Sequence, residues 1–284
     1  MKDFKDKVAV ITGGAGGIGT AFARRWAAEG MKIVLADVEG PALERAESDL
    51  RESGTDVRAF STDVSDQAQV ERLAEQTLSA FGGVHLLFNN AGVQAPQAVP
   101  YWEDTLNDWQ WVLGVNLWGV IYGVKVFIPI MEKQHEPAHI VNTASVAGVR
   151  SSPDIGIYSV TKAAVTMLSE NLYAQLQERR LPIGVTAVFP GVVRTRLNDA
   201  WRNRPEAYAD KEAAPMTPQR EAVIKRFVEA NAGGMEPDHF AQLVFDAVSN
   251  DRLYCLTHHE WDDAIRERAE NIVSGTNPPP PARY

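Results

Sequence analysis

The sequence predicts a doubly wound α/β fold with a largely parallel sheet, and three observations carry that expectation. Short β-branched runs alternate with longer segments of helical period along most of the chain. A glycine cluster sits between the first such run and the first helical segment. With 284 residues and 45 % hydrophobic content, the chain can bury one large core, so a single domain over 1–284 is expected.

The first strand is expected over 8–12 and is followed by a helix over about 17–29. A strand over 32–37 and a helix over 41–53 come next, then a strand over 57–61 and a helix over 65–81. A strand at 86–89, one long helix over 106–131, a strand at 140–144, a helix over 156–179 and a strand at 183–189 continue the rhythm. A seventh strand fits 253–257. Between the sixth and seventh strands, residues 191–237 are long, polar and dotted with aromatic side chains, which reads as an inserted lid. The last ten residues, 275–284, hold a proline run and read as an extended tail.

Composition narrows the function classes. A formal charge of -9 without a Lys/Arg cluster speaks against nucleic-acid binding, which depends on neutralising phosphates. The single cysteine, Cys255, excludes an internal disulfide and any multi-cysteine metal site, as suits a reducing cytoplasm. No metal is expected, since the histidines show no three-ligand pattern with a carboxylate. No apolar run reaches the roughly 18 to 20 residues that span a bilayer, so neither signal peptide nor membrane anchor is expected. A small-molecule partner is favoured.

The glycines Gly13, Gly17 and Gly19 lie in Thr12-Gly13-Gly14-Ala15-Gly16-Gly17-Ile18-Gly19, between a strand and a helix. Such glycines permit a tight turn and let a pyrophosphate approach free N–H groups at a helix N-terminus. At the end of the second strand, Asp37 is placed to accept hydrogen bonds from an adenosine ribose and to repel a 2′-phosphate, which favours NAD(H) without excluding NADP(H). Its plainer reading is a helix-capping aspartate before Val38-Glu39-Gly40-Pro41.

Tyr158 and Lys162 are one helical turn apart and project from one face. A neighbouring ammonium favours a phenolate, so Lys162 could make Tyr158 a usable base. Ser145 at a strand end could donate to a substrate oxygen beside Tyr158. Each residue also has an ordinary reading: a surface YxxxK pair, a capping serine, and a solvent-facing Asn116.

The spacing TGxxxGxG, the ordered set Asn116, Ser145, Tyr158 and Lys162, and the turn Asn89-Asn90-Ala91-Gly92 together resemble the short-chain dehydrogenase/reductase family over about 7–195. The resemblance implies a Rossmann-like fold and an NAD(P)-dependent oxidoreductase, of the secondary alcohol dehydrogenase or ketone reductase type, with Tyr158 as general acid/base. It gives Lys162 the nicotinamide ribose, Ser145 the substrate oxygen, and Asn116 a local disturbance of its helix and a relay water. It places Asp63 and Val64 at the adenine, and Asn90, Ala91 and Gly92 along the cofactor with Ile18. Pro190, Gly191, Val193 and Thr195 bracket the nicotinamide. Val146, Ser152, Ile155, Leu197 and Trp201 are the candidate substrate pocket, with Gln94, Ala95 and Trp102 nearby; their apolar character suits a bulky hydrophobic or aromatic alcohol or ketone. The alternatives are a carrier-bound 3-oxoacyl reductase, which would be expected to use NADP, and a non-catalytic nucleotide-sensing protein. The family commonly pairs through the helices beginning near Leu106 and Gly156, which implies a homodimer. The segment Leu253-Tyr254-Cys255-Leu256-Thr257-His258-His259 departs from the Gly-rich end many members use to build a homotetramer.

Overall fold

The computed structural model describes residues 1–95, 98–209 and 216–278. Its centre is β1 (Val8–Thr12), whose five residues are all buried. The chain then alternates: α1 (Gly17–Ala27), β2 (Lys32–Asp37), α2 (Gly40–Glu52), β3 (Val57–Ser61), α3 (Gln67–Phe81) and β4 (Leu86–Asn89). After β4 come α4 (Leu106–Leu113), a π-helical turn (Gly114–Trp118), α5 (Gly119–Gln134), β5 (Ala138–Thr143), α6 (Gly156–Glu178) and β6 (Ile183–Phe189). Two 3-10 turns, Leu197–Asn203 and Glu206–Tyr208, lead to α7 (Pro218–Ala232), α8 (Pro237–Ser249), β7 (Tyr254–Leu256) and α9 (Asp262–Ser274).

All seven strands are parallel, in the order β3-β2-β1-β4-β5-β6-β7. Strand order therefore reverses between β1 and β4, and a crevice opens there beyond the strand C-termini. Alternate β1 residues feed opposite faces. Ala9 and Ile11 join a core with Phe22 and Trp26 of α1 and Phe240 and Val244 of α8. Val8 and Val10 join Leu73 of α3, Phe127 and Met131 of α5, and Leu172 and Leu176 of α6. The Phe22 and Phe88 rings stack at 4.5 Å, which ties α1 rigidly to the sheet beneath the glycine loop.

Four expectations change. The single helix expected over 106–131 is broken by the π turn and runs on to Gln134. This stretch, Leu106–Gln134, is also long and apolar enough by length and composition to cross a membrane, contrary to the sequence reading. Its apolar character has another cause, since Val120, Phe127 and Met131 are buried in the core. The helix expected from 65 begins at Gln67, because Asp63 accepts from the Ser65 backbone and hydroxyl at 2.9 and 2.7 Å and Asp66 caps Ala68 N. The lid expected over 191–237 carries α7, none of whose side chains is buried. Residues 210–215 of that segment, and 279–284 of the tail, lie outside the described residues.

One buried group ties stability to pH. His139 on β5 is fully enclosed, its Nε2 2.8 Å from Thr186 Oγ1 on β6. Burial, helped by the N-terminal charge, lowers its pKa to about 3. The unfolded chain binds a proton at its ordinary pKa of about 6.5, whereas the folded chain does not until pH approaches 3. Stability is thus present above the unfolded value and lost as pH falls through this window. A His139→Asn variant should show a shallower loss of urea-unfolding free energy between about pH 6.5 and pH 4 than the parent.

Candidate active site

The glycine loop is shaped by contacts that tolerate no side chain. Gly13 and Gly17 adopt φ of +66° and +53°, the left-handed region. A Cβ on Gly19 would stand 1.9 Å from Gly13 O, so Gly19 seats α1 on the loop without lining the crevice. Gly16, the N-cap of α1, offers no side-chain cap, and the first N–H groups of the helix are left to bind an anion. Across the switch point, Thr12 Oγ1 accepts from the backbone N–H of Asn90 and Ala91 at 2.9 and 3.1 Å, and Asn90 Nδ2 donates to Thr12 O at 3.0 Å. The loops after β1 and β4 are thereby fixed to each other.

Asp37 uses both oxygens: Oδ2 accepts from Ala15 N of the glycine loop at 3.0 Å, and Oδ1 from Glu39 N at 3.1 Å. It therefore braces the loop against the segment leading into α2, although the N-cap of α2 is Glu39 and not Asp37. Beside it, Glu39 binds Arg202 and accepts from Asn203 Nδ2 at 2.7 Å. Burial opposes the Glu39 charge, but the hydrogen bonds from Asn203 and Arg202 win and hold its carboxyl below the usual range. This clasp, absent from the sequence reading, joins the Leu197–Asn203 turn to the body of the sheet. Arg202→Ala should release it, raising amide exchange across 197–203 by about five- to tenfold while exchange in β1 stays unchanged.

These elements enclose a crevice of about 480 Å³. Gly13, Gly17, Ile18, Asp37, Asp63, Val64, Asn90, Ala91, Gly92, Pro190, Gly191, Val193 and Thr195 all line it, as do Tyr158 and Lys162. Tyr158 and Lys162 belong to the buried face of α6, and Lys162 Nζ donates to Thr143 O at 2.6 Å. Ser145 is buried between β5 and the crevice; its Oγ donates to Pro190 O at 3.3 Å and accepts from Ala147 N at 3.1 Å, and it stands near enough to the Tyr158 hydroxyl to favour the phenolate. Asn116 is fully buried in the π turn, where Oδ1 accepts from Val93 N at 2.8 Å and Nδ2 donates to Val93 O at 2.9 Å. This pairing with the chain after Gly92 gives the local departure from α-helix a physical reason. Asn116 acts behind the crevice wall, and a Cβ on Gly92 would lie 3.6 Å from its Oδ1 and 3.7 Å from Lys162 Nζ.

The electrostatics differ from the expectation that Lys162 would bring the phenol down. Burial pushes Tyr158 up to about 12, with the Ser145 hydrogen bond pulling more weakly the other way. Burial also brings Lys162 down to about 8. Desolvation is the leading cause for both groups, with Lys162 Nζ 5.5 Å from the centre of the Tyr158 ring and anchored on the Thr143 carbonyl.

The candidate substrate residues are only partly brought together. Leu197 lines the crevice, whereas Trp201 is 69 % exposed, and Ala200 takes the inward position instead. Val146 packs in a separate cluster with Ala144 and Phe189, and Ser152 and Ile155 do not reach the crevice wall. Trp102 is 84 % exposed, Ala95 packs with Trp111, and Gln94 is half-buried off the wall. Trp111 and Val115, which the sequence reading did not single out, line the crevice from α4 and the π turn. Their signal was present as one apolar face of the 106–131 segment.

Comparison with known proteins agrees with this geometry. The family model for short chain dehydrogenases matches residues 7–206. A CLA biosynthesis dehydrogenase/reductase from Lactiplantibacillus plantarum is 36 % identical over 98 % of this chain and 97 % of its own length. A C alpha-dehydrogenase from Sphingobium sp. is 33 % identical over 98 % of this chain and 89 % of its own. Among solved structures, a short chain dehydrogenase/reductase from Burkholderia phymatum in complex with NAD superposes with a TM-score of 0.95 at 46 % identity, covering all of both chains. The glycine loop at a strand-order reversal, the Tyr158-Lys162 face opening on the same crevice, and a family match across both place this chain in the short chain dehydrogenase family of oxidoreductases.

Proposed function

We propose that this chain interconverts a bulky secondary alcohol and its ketone with NAD(H), using Tyr158 as general acid/base. The observation that carries the reading is one crevice lined by the glycine loop and Asp37 and also by Tyr158 and Lys162, with Ser145 buried behind its Pro190 wall. The residues fit a dinucleotide: the loop has no room for side chains at Gly13 and Gly19, and the uncapped start of α1 suits a pyrophosphate. Asp37 would hold the adenosine ribose, Asp63 and Val64 the adenine, and Lys162 the nicotinamide ribose. When bound, the nicotinamide supplies the hydride acceptor or donor.

The chain's own residues handle the proton. With its pKa pushed to about 12, Tyr158 is protonated at neutral pH and ready to donate to a carbonyl oxygen that gains negative charge. Ser145 steadies that oxygen by hydrogen bonding, and Asn116 keeps the backbone after Gly92 in place beside Lys162. In the alcohol direction Tyr158 must first lose its proton, so oxidation gains from alkaline pH. Leu197, Ala200, Trp111 and Val115 give the open end of the crevice an apolar wall, which suits a bulky or aromatic substrate; relatives named levodione reductase and C alpha-dehydrogenase are in keeping with a ketone/alcohol pair.

NAD is favoured because the Asp37 carboxylate would face a 2′-phosphate, and the lid's Arg202 is engaged by Glu39. Arg45 also lines this end of the crevice and is the residue that would serve NADP instead. The exposed apolar side chains Trp118 on the π turn and Val160 and Met167 on α6 support pairing of two copies through these helices. The test is initial rates by cofactor absorbance with NAD and NADP across aliphatic, aryl-alkyl, steroidal and sugar alcohols and ketones. NAD-linked turnover of bulky secondary alcohols supports the proposal; activity confined to polyols sinks the substrate class, and preference for NADP sinks the role of Asp37.

A further inference from the structure

We infer that His258, on the segment after the seventh strand, is a positioning residue that sets the nicotinamide end of the crevice; the inference rests on the dinucleotide reading above. In the β6–β7 pairing Phe189 lies opposite Leu256, so one step beyond the sheet Pro190 follows beside Thr257, and two steps beyond, Gly191 beside His258. The two strands part here, and the backbone of 190–192 would lose its ladder partners. The buried imidazole takes their place. Its Nδ1 accepts from Gly191 N at 3.0 Å, and its Nε2 faces Val192 O at 3.1 Å. An acceptor at Nδ1 and a donor at Nε2 together define the neutral ring protonated on Nε2. Thr257 Oγ1, 2.8 Å from Nδ1 and 3.3 Å from Phe189 O, has a single hydrogen to give to one or other of these two acceptors and flanks the ring on the strand side.

The ring also sets how close the segment can stand. A Cβ on Gly191 would come within 2.7 Å of His258 Cγ, so glycine and imidazole are packed face to face with no space between them. On its other side the segment is held by Met235 N, which donates to Val192 O at 2.9 Å, and by a strand-like bridge between Val193 and Met235. Pro190, Gly191 and Val193 present the resulting wall to the crevice. The same wall supports the catalytic side, because Pro190 O accepts from Ser145 Oγ at 3.3 Å and Val146 N at 3.1 Å. His258 thus reaches Tyr158 only through the wall and Ser145, and touches the cofactor end only through backbone.

The experiment is calorimetric binding of NAD and of ADP-ribose, which keeps the adenosine and pyrophosphate but lacks nicotinamide, to the full chain. In His258→Ala, NAD affinity should fall about tenfold while ADP-ribose affinity stays within about twofold, since two hydrogen bonds are lost only at the nicotinamide end. His258→Asn, whose Oδ1 can replace the Nδ1 acceptor, should recover part of the NAD loss. Gly191→Ala, which must push the ring away, should repeat the NAD-selective loss and serves if His258→Ala fails to fold. Equal loss for both ligands, or no loss for either, would overturn the positioning role. A parent protein that bound ADP-ribose and NAD equally well would overturn it too, whereas one that bound neither would overturn the dinucleotide reading itself.

Discussion

Tyr158→Phe is expected to cut turnover by roughly 10³-fold while leaving NAD affinity within about twofold, the scale of losing a positioned general acid. The ring itself packs within the buried face of α6, and phenylalanine keeps that packing; what is removed is the hydroxyl that Ser145 contacts. The pH dependence separates the two directions. Ketone reduction needs the phenol protonated and Lys162 charged, so it should hold across neutral pH and decline as pH rises through about 8, where Lys162 loses its proton. Alcohol oxidation needs the phenolate, so it should climb with pH toward the high pKa of Tyr158 until the loss of Lys162 charge opposes it. Rates and bound-cofactor fluorescence on the same samples check both halves of the expectation. Parent-like turnover in Tyr158→Phe would refute the assignment.

Replacing Asp37 by Ser should raise the NADP-to-NAD ratio of kcat/KM by about 10²-fold, the effect of removing one like charge from beside a phosphate. Part of this gain comes from the NAD side. The variant loses the proposed contact of Asp37 with the NAD ribose, and because Asp37 Oδ2 also holds Ala15 N it loosens the glycine loop for both cofactors. The absolute rate with NADP should therefore rise less than the ratio suggests. Separate KM values for both cofactors decide this, and an unchanged ratio would show that Asp37 braces the loop without choosing the cofactor.

Much of this site is visible in sequence because its geometry is local. Gly13 to Gly19 follow one strand and open one helix, and Tyr158 and Lys162 share one helix turn. Strand positions were legible for a similar reason: both faces of the sheet are covered, so the strands read as apolar runs bounded by turns. What stayed hidden depends on contacts between distant segments. The resemblance implied that Asn116 disturbs its helix, but the cause, Asn116 binding the backbone of Val93, is a contact no helical period reveals. The clasp of Arg202 and Asn203 on Glu39 joins residues far apart in the chain, as does the packing of His258 on Gly191. The substrate residues were read least well, since an aromatic on a lid can face either way: Trp201 faces outward while neighbouring Ala200 faces in. Desolvation was equally invisible, and it reverses the expected shift of Tyr158.

Direct hydride exchange between a nicotinamide and a carbinol carbon under control of Tyr158 is the step on which the proposed function rests. Incubation of the protein with NADH deuterated at the reactive ring carbon and a panel of bulky aryl-alkyl ketones, read by mass spectrometry of the alcohol product, tests it most directly. One deuterium is expected on the carbinol carbon, delivered to a single face, with the yield collapsing in Tyr158→Phe. Cofactor binding with no label reaching any carbinol carbon, or labelling that survives unchanged in Tyr158→Phe, would contradict it.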